Sequence, residues 1–297
     1  MARSGHFRPD QVSLLPCREV SPNERSVASP LMPRGRTANF LVQHVETNGA
    51  APLVTRKPDE LIVEEPLEIH LDGHLVTTTM RTPGDDFELA VGLCFTDGLL
   101  AGALVTGCRY CGESGSAADT EFNVVTVETG GQAPVPAARV ATTTSSCGLC
   151  GSVSIDALRQ RLQPLRGLTP IPLDVLAAAP DRARELQELF AATGAVHAAA
   201  AFTADGETLV VREDIGRHNA VDKVVGRLLF DGRLPANDLG LYVSGRASFE
   251  IVQKAWAAGF AGVVAVSAPS SLAVETARAA GLPLAGFARD GHMNLYS

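Results

Sequence analysis

The chain has 297 residues, 45% of them hydrophobic and 20% charged, with a formal net charge of −8. That length suits one large domain or two ordinary ones, and the hydrophobic fraction allows a sizeable core. The acidic balance argues against broad nucleic-acid binding, which needs a basic surface to neutralise phosphates; no apolar run approaches bilayer length. Met1 to Pro30 is polar and punctuated by proline, without the apolar core of a secretory leader, so a cytoplasmic location is expected. In that reducing setting six cysteines read as metal-binding, redox-active or buried rather than as a disulfide framework.

Residues 1–48 carry Pro9, Pro16, Pro22, Pro30 and Pro33 among polar residues and read as a flexible tail, with Cys17 incidental. Residues 49–140 read as a β-rich region with one helix. Leu67 to Leu71 and Leu75 to Met80 flank Asp72-Gly73, a hairpin signal. A helix is expected from Phe87 to Leu100, with Cys94 on its apolar face. Strands follow at 104–110 and 121–127. Residues 128–146 are rich in Gly, Pro, Ala and Thr and read as a connector, leading into a mobile cysteine loop over 141–152.

From 153 to 297 the pattern is α/β. One helix carries Ile155, Leu158 and Leu162. Another is expected to start at Pro180-Asp181 and stop at Gly194. Strands 196–202 and 208–212 join through Asp205-Gly206. Helices are expected at 218–230, 248–258 and 271–280, alternating with strands 239–243, 262–266 and 283–287. Such alternation implies a parallel or mixed sheet covered by helices.

The chemistry concentrates in Ser145-Ser146-Cys147-Gly148-Leu149-Cys150-Gly151. Two thiols three apart at a helix N-terminus favour the thiolate, which can attack or carry sulfur. A second pair, Cys108 and Cys111, leaves a split zinc site open, although residues 112 to 146 between the pairs exceed the usual ribbon spacing. Three loops, at 214–219, 244–248 and 267–271, each leave a strand and open a helix. Their backbone N–H groups, with Arg217 and Arg246 close by, suit a phosphorylated, nucleotide-like ligand. His197 in its Ala-rich strand is either a satisfied core histidine or a functional one.

Taken together, the cysteine turn, Thr193 to Ala200, Asp214 to Lys223, Ser244 to Ala255 and Gly286 to Tyr296 resemble the FdhD family, the formate dehydrogenase accessory sulfurtransferases, over roughly residues 53 to 297. The resemblance implies a cytidine-deaminase-like three-layer mixed α/β sheet with a smaller β-rich N-terminal region, and a homodimer. It implies a sulfur carrier that accepts sulfur from a cysteine desulfurase as a persulfide. The sulfur passes to the molybdenum (or tungsten) bis-guanine-dinucleotide cofactor, bound as a substrate, for formate dehydrogenase; no permanent cofactor or metal is expected. Carried over residue by residue, Cys147 bears the persulfide and Cys150 is its partner. Phe287, Ala288, Arg289, Asp290, Gly291 and His292 fall on the cofactor-binding stretch, His292 standing where a second Arg is expected. A zinc nucleobase deaminase is excluded, because His197 is followed by Ala198-Ala199 and lacks the catalytic His-x-Glu. A zinc-stabilised cofactor chaperone and a thiol-disulfide oxidoreductase remain the alternatives.

Overall fold

A computed structural model of the chain describes residues 35–48, 51–110, 122–136 and 161–297, so Cys17, Cys111, Cys147, Cys150 and the whole of the expected cysteine loop lie outside the described residues. The architecture is mixed α/β, with three sheets and six helices among the described residues.

The largest sheet has six strands in the order β12-β11-β10-β9-β7-β8. They are β7 (His197–Thr203), β8 (Thr208–Asp214), β9 (Leu239–Val243), β10 (Gly262–Ala265), β11 (Leu284–Arg289) and β12 (His292–Leu295). β9, β10 and β11 are mutually parallel, and β7 runs antiparallel to both β8 and β9. The carboxyl ends of β8, β9, β10 and β11 therefore meet the start of β7 along one edge, as the three-loop reading required.

Period-two alternation splits the sheet residues between two cores. Ala199, Ala201, Leu241, Val243, Val263 and Ala265 face one way. There they meet α4 (Arg217–Phe230), α5 (Phe249–Ala258) and α6 (Ser271–Ala280). Ala200, Phe202, Tyr242, Val264 and Ala285 face the other way, onto α2 (Leu173–Glu185). The short α3 (Glu188–Thr193) follows α2. Its first amides, at Leu189 and Phe190, each donate to the Glu213 carboxylate at 2.8 Å, which fixes α3 to β8.

A second sheet, β4-β3-β6-β5, is built from β3 (Glu65–Leu71), β4 (His74–Arg81), β5 (Gly107–Arg109) and β6 (Val124–Glu128). Helix α1 (Asp86–Thr96) lies between this sheet and α4, and is buried nearly all round for that reason. The helices α1 and α4 touch backbone to backbone: a Cβ on Gly92 would sit 1.9 Å from the Asp222 carbonyl oxygen, and one on Gly226 1.9 Å from that of Glu88. Beside this contact, Thr96 Oγ1 and Lys254 Nζ both donate to the Asp222 carboxylate at 2.8 Å. Burial pushes the Asp222 carboxyl up to about 6 against the pull of Lys254.

The third sheet is a lone ribbon of β1 (Thr37–Glu46) and β2 (Leu53–Ile62). Thr37–Glu46 thus forms a strand where the sequence reading placed tail, because its apolar residues fall on both faces and give no clean alternation. The helix expected from Pro180 instead begins at Leu173, and Pro180 lies buried inside it. The expected strand at 104–110 shortens to Gly107–Arg109, and β12 was not foreseen.

Candidate functional site

A cleft of about 590 Å³ opens at the shared edge of the six-stranded sheet, between that edge and α2. Each wall comes from a different element. The start of β7 supplies His197, the segment after β9 Ser244, the end of β11 Ala288 and Arg289, and the last turn of α2 Arg184. Ile215, after β8, closes one side. This is where open α/β sheets bind ligands, at the carboxyl ends of their strands.

The loops that flank the cleft are tied together by their own backbone. Ser267 N donates to Gly245 O at 3.3 Å, Ser270 N to Ala247 O at 3.1 Å, and Phe287 N to Ser267 O at 3.3 Å. Ala198 N donates to Ser244 Oγ at 2.9 Å. A Cβ at Gly286 would lie 2.9 Å from Pro269 Cδ, so glycine is what lets β11 lie this close to the loop after β10. These bonds also revise the anion-loop reading. Ile215 N donates to Thr82 Oγ1, Gly216 N to Asp214 Oδ1, and Ser248 N to Arg246 O. Many of the N–H groups expected to cradle phosphate are therefore used within the protein, and the anion-binding capacity shifts to side chains.

Those side chains are cationic. Arg184 and Arg289 line the cleft, and the Arg184 guanidinium stacks 3.8 Å from the Phe190 ring centroid. Arg217 opens α4 beside His197, and its buried Nε has no hydrogen-bond partner among the described residues. Burial holds the His197 imidazole below the usual histidine range. The Arg217 charge pushes the same way, and Asp214 opposes both. His197 is therefore a neutral, half-buried hydrogen-bonding group at neutral pH, facing a cleft rather than the core.

The motif from Asp214 to Lys223 divides in two. Asp214, Asn219 and Lys223 are buried and structural. Lys223 Nζ meets Asp214 Oδ2 at 2.8 Å and donates to Thr82 O at 3.0 Å. Asn219 Nδ2 donates to Asp214 Oδ1 at 2.9 Å and to Met80 O at 2.8 Å. This cluster bolts the loop before α4 to the segment after β4. Ile215 and Arg217 stay on the site side.

The stretch Phe287 to His292 is also split. Ala288 and Arg289 reach the cleft; Phe287, Asp290, Gly291 and His292 do not line it. Asp290 and Gly291 hold positive φ of 49° and 73°, as a tight two-residue hairpin between β11 and β12 requires. His292 Nδ1 lies 2.7 Å from Asp290 O, closing that turn. Phe287, at φ 54° and 45% exposed, marks the bulge where the β11–β12 register shifts. Sequence reasoning missed Arg184, Gln187 and Tyr242. The available signal was that Asp181 and Arg184 lie on the side of α2 away from its buried Val175, Leu176, Ala179 and Ala183.

Cys94 and Cys108 are buried in the core around α1 and the four-stranded sheet. Burial, reinforced by Glu128, drives the Cys108 thiol far up, opposite to what a nucleophile needs. Among the described residues no group of three or more His, Cys, Asp or Glu side chains is placed to hold a metal, and no helix is long and apolar enough to cross a membrane.

Comparison with known proteins settles the kinship. The FdhD/NarQ family model matches residues 62–297. The chain belongs to the FdhD/NarQ family. It is 46% identical over 270 residues to the "Sulfur carrier protein FdhD" of Corynebacterium efficiens, covering 88% of this chain and 97% of that one. It is 49% identical over 251 residues to the protein of the same name from Streptomyces coelicolor, covering 82% and 89%. Among solved structures it resembles a putative formate dehydrogenase accessory protein from Desulfotalea psychrophila. There the TM-score is 0.65 at 22% identity, over 87% of this chain and 96% of that one, a likeness of fold. The FdhD/NarQ match covers every strand and helix that builds the cleft and leaves out nearly all of the β1–β2 ribbon.

Proposed function

We propose that this chain is a sulfur carrier that receives sulfur from a cysteine desulfurase on Cys147 and delivers it to a guanine-dinucleotide molybdenum or tungsten cofactor for formate dehydrogenase. The observation that carries the reading is the cleft: a nucleotide-sized cavity at a sheet edge, lined by Arg184 and Arg289, with Arg217 beside His197 and its buried Nε without a partner among the described residues. Guanidinium groups suit pyrophosphate, which they can grip bidentately. The names of the Corynebacterium and Streptomyces relatives support the sulfur-carrying part. The cysteine pair itself lies outside the described residues.

Loading is a displacement. The Cys147 thiolate attacks the outer sulfur of the donor's persulfide, the donor S–S bond breaks, and the donor cysteine leaves as a thiolate. Delivery as sulfide balances if the Cys150 thiolate attacks Sγ of Cys147. The outer sulfur leaves as hydrosulfide, a Cys147–Cys150 disulfide forms, and a dithiol reductant restores the pair. In the cleft, neutral His197 accepts or donates one hydrogen bond without competing for the anion, and the three arginines orient the phosphates. The zinc-chaperone alternative needs Cys108 turned towards a shared site with the other thiols, whereas Cys108 packs into the core around α1 and the four-stranded sheet.

Incubation with a cysteine desulfurase and cysteine is expected to add one sulfur atom at Cys147, detected by intact-mass and peptide mass spectrometry and absent in Cys147→Ser. A wild-type chain that stays unmodified while a control acceptor is loaded would end the carrier reading. Binding of guanosine diphosphate is expected to weaken roughly tenfold or more in Arg289→Ala, measured by calorimetry, because a charged hydrogen bond is lost. Equal affinity would remove Arg289 from the site.

A further inference from the structure

Arg81 and Arg212 are held by carboxylates. Arg81 donates to Asp86 through Nε and Nη2, and Arg212 to Glu88 through the same two atoms. Such two-pronged pairs fix a guanidinium and also occupy its donors. Arg184, on the wall of the cleft, is held differently. Its Cζ lies 3.8 Å from the centroid of the Phe190 ring, and its guanidinium has no hydrogen bond or ion pair among the described residues. A ring against the cation grips the face of the guanidinium and leaves its edge N–H groups open.

Phe190 is in turn held from behind. It belongs to α3, a helix of six residues whose one buried side chain is Leu189. A helix that short does not persist on its own in water. Here each oxygen of the Glu213 carboxylate accepts one amide of its first turn, Oε2 from Leu189 and Oε1 from Phe190, both at 2.8 Å. The bond to the Phe190 amide sets the backbone from which the ring projects. Glu213 is only 5% exposed and is not one of the residues that line the cleft. Its carboxylate serves α3 and is not paired with Arg184, so the cation in the cleft is not neutralised by it.

We propose that Glu213 and Phe190 are positioning residues for Arg184. Glu213 fixes α3, α3 presents the Phe190 ring, and the ring holds the Arg184 guanidinium with its N–H edge free for the phosphates of the ligand. The assignment rests on the proposal that the cleft takes a phosphorylated ligand. An exposed arginine has several rotatable bonds, and ordering it only when the ligand arrives subtracts from affinity. Stacking on Phe190 makes that ordering part of the fold. Preorganisation of this kind strengthens binding without adding any contact to the ligand.

Calorimetric titration of the full chain with guanosine diphosphate tests this, with circular dichroism to confirm that each variant is folded at the titration temperature. Arg184→Ala is expected to weaken binding about tenfold or more, since a charged hydrogen bond is lost. Phe190→Leu keeps an apolar side chain in α3, and Glu213→Gln turns one acceptor into a donor that faces an N–H. Each is expected to weaken binding about fivefold. Phe190→Tyr keeps the ring and is expected to stay within about twofold of the wild type. Added to Arg184→Ala, neither Phe190→Leu nor Glu213→Gln is expected to weaken binding further, because residues that act through one group do not add. Unchanged affinity in Phe190→Leu overturns the positioning role, whatever Glu213→Gln does to stability. Additive losses overturn it too, since they mean that the ring or the carboxylate acts on the ligand without Arg184. An Arg184→Ala variant that binds like the wild type overturns the assignment and leaves the phosphates to the other arginines. A wild type that binds no guanosine diphosphate ends both the assignment and the nucleotide reading of the cleft.

Discussion

Gly226→Ala is expected to destabilise the protein by about 3 kcal/mol or more, the upper end of what overpacking costs. The new methyl would lie 1.9 Å from the Glu88 carbonyl oxygen and 2.6 Å from its carbon. Both are backbone atoms of a helix that is itself packed against a sheet, so neither can rotate away. Gly92→Ala meets the same obstacle from the other side, 1.9 Å from the Asp222 carbonyl oxygen. Separating α1 from α4 to admit either methyl would also pull Thr96 from Asp222, where the hydroxyl now donates at 2.8 Å. Gly262→Ala is the control, because its Cβ would meet nothing closer than 3.7 Å. Urea titrations of the three variants give the ranking. A Gly226→Ala midpoint equal to the wild type would mean that the two helices do not cross at these glycines.

The second large effect is expected at the Asp214–Lys223 pair, whose side chains are both fully buried. Lys223→Met leaves the Asp214 carboxylate without its counter-charge. Asp214→Leu leaves the ammonium with only the carbonyls of Thr82 and Glu213, at 3.0 and 3.4 Å. Breaking a buried pair from one side costs about 3–5 kcal/mol, because the remaining charge is stranded. Asp214→Leu is expected to be the worse of the two, since it also strips acceptors from Gly216 N, Asn219 Nδ2 and Thr82 N. The double variant is expected to recover part of the Lys223→Met loss, as paired removal leaves no lone charge. Additive losses in the double variant would show that the two groups do not share a charge interaction.

The strands and helices from His197 to Arg289 were legible because each has one apolar period and a clear stop. Val221, Val224, Val225 and Leu228 could belong only to a helix face, and Gly259 and Gly281 end α5 and α6 in left-handed backbone. Strand β1 was not legible, since its apolar residues fall on both faces and display no alternation, whereas β2 lies in the stretch read as β-rich. The start of α2 was missed because Pro180 reads locally as a helix opener, and burial against the sheet overrides that preference. At the site, His197, Ser244 and Arg289 could be reached by noting strand ends. The division of labour within Asp214 to Lys223 could not. Sequence places an Asp, an Asn and a Lys on one loop and helix; only the fold shows that their partners are Met80 and Thr82, far away in the chain. The Asp290-Gly291 turn carries a similar lesson, as backbone geometry alone accounts for both residues there.

The contact between α1 and α4 also sets an order of events on the ribosome. Helix α1 ends at Thr96, but the carboxylate that receives the Thr96 hydroxyl arrives 126 positions later, and Lys223 reaches back to Thr82 across 141. At ordinary elongation speeds that gap lasts on the order of ten seconds. Throughout it, the nascent chain holds a helix that is apolar on nearly every side with only one of its two neighbours made. The early layer is thus a customer for whatever shields greasy surfaces at the exit tunnel, and its commitment to the native state waits for the far half of the message.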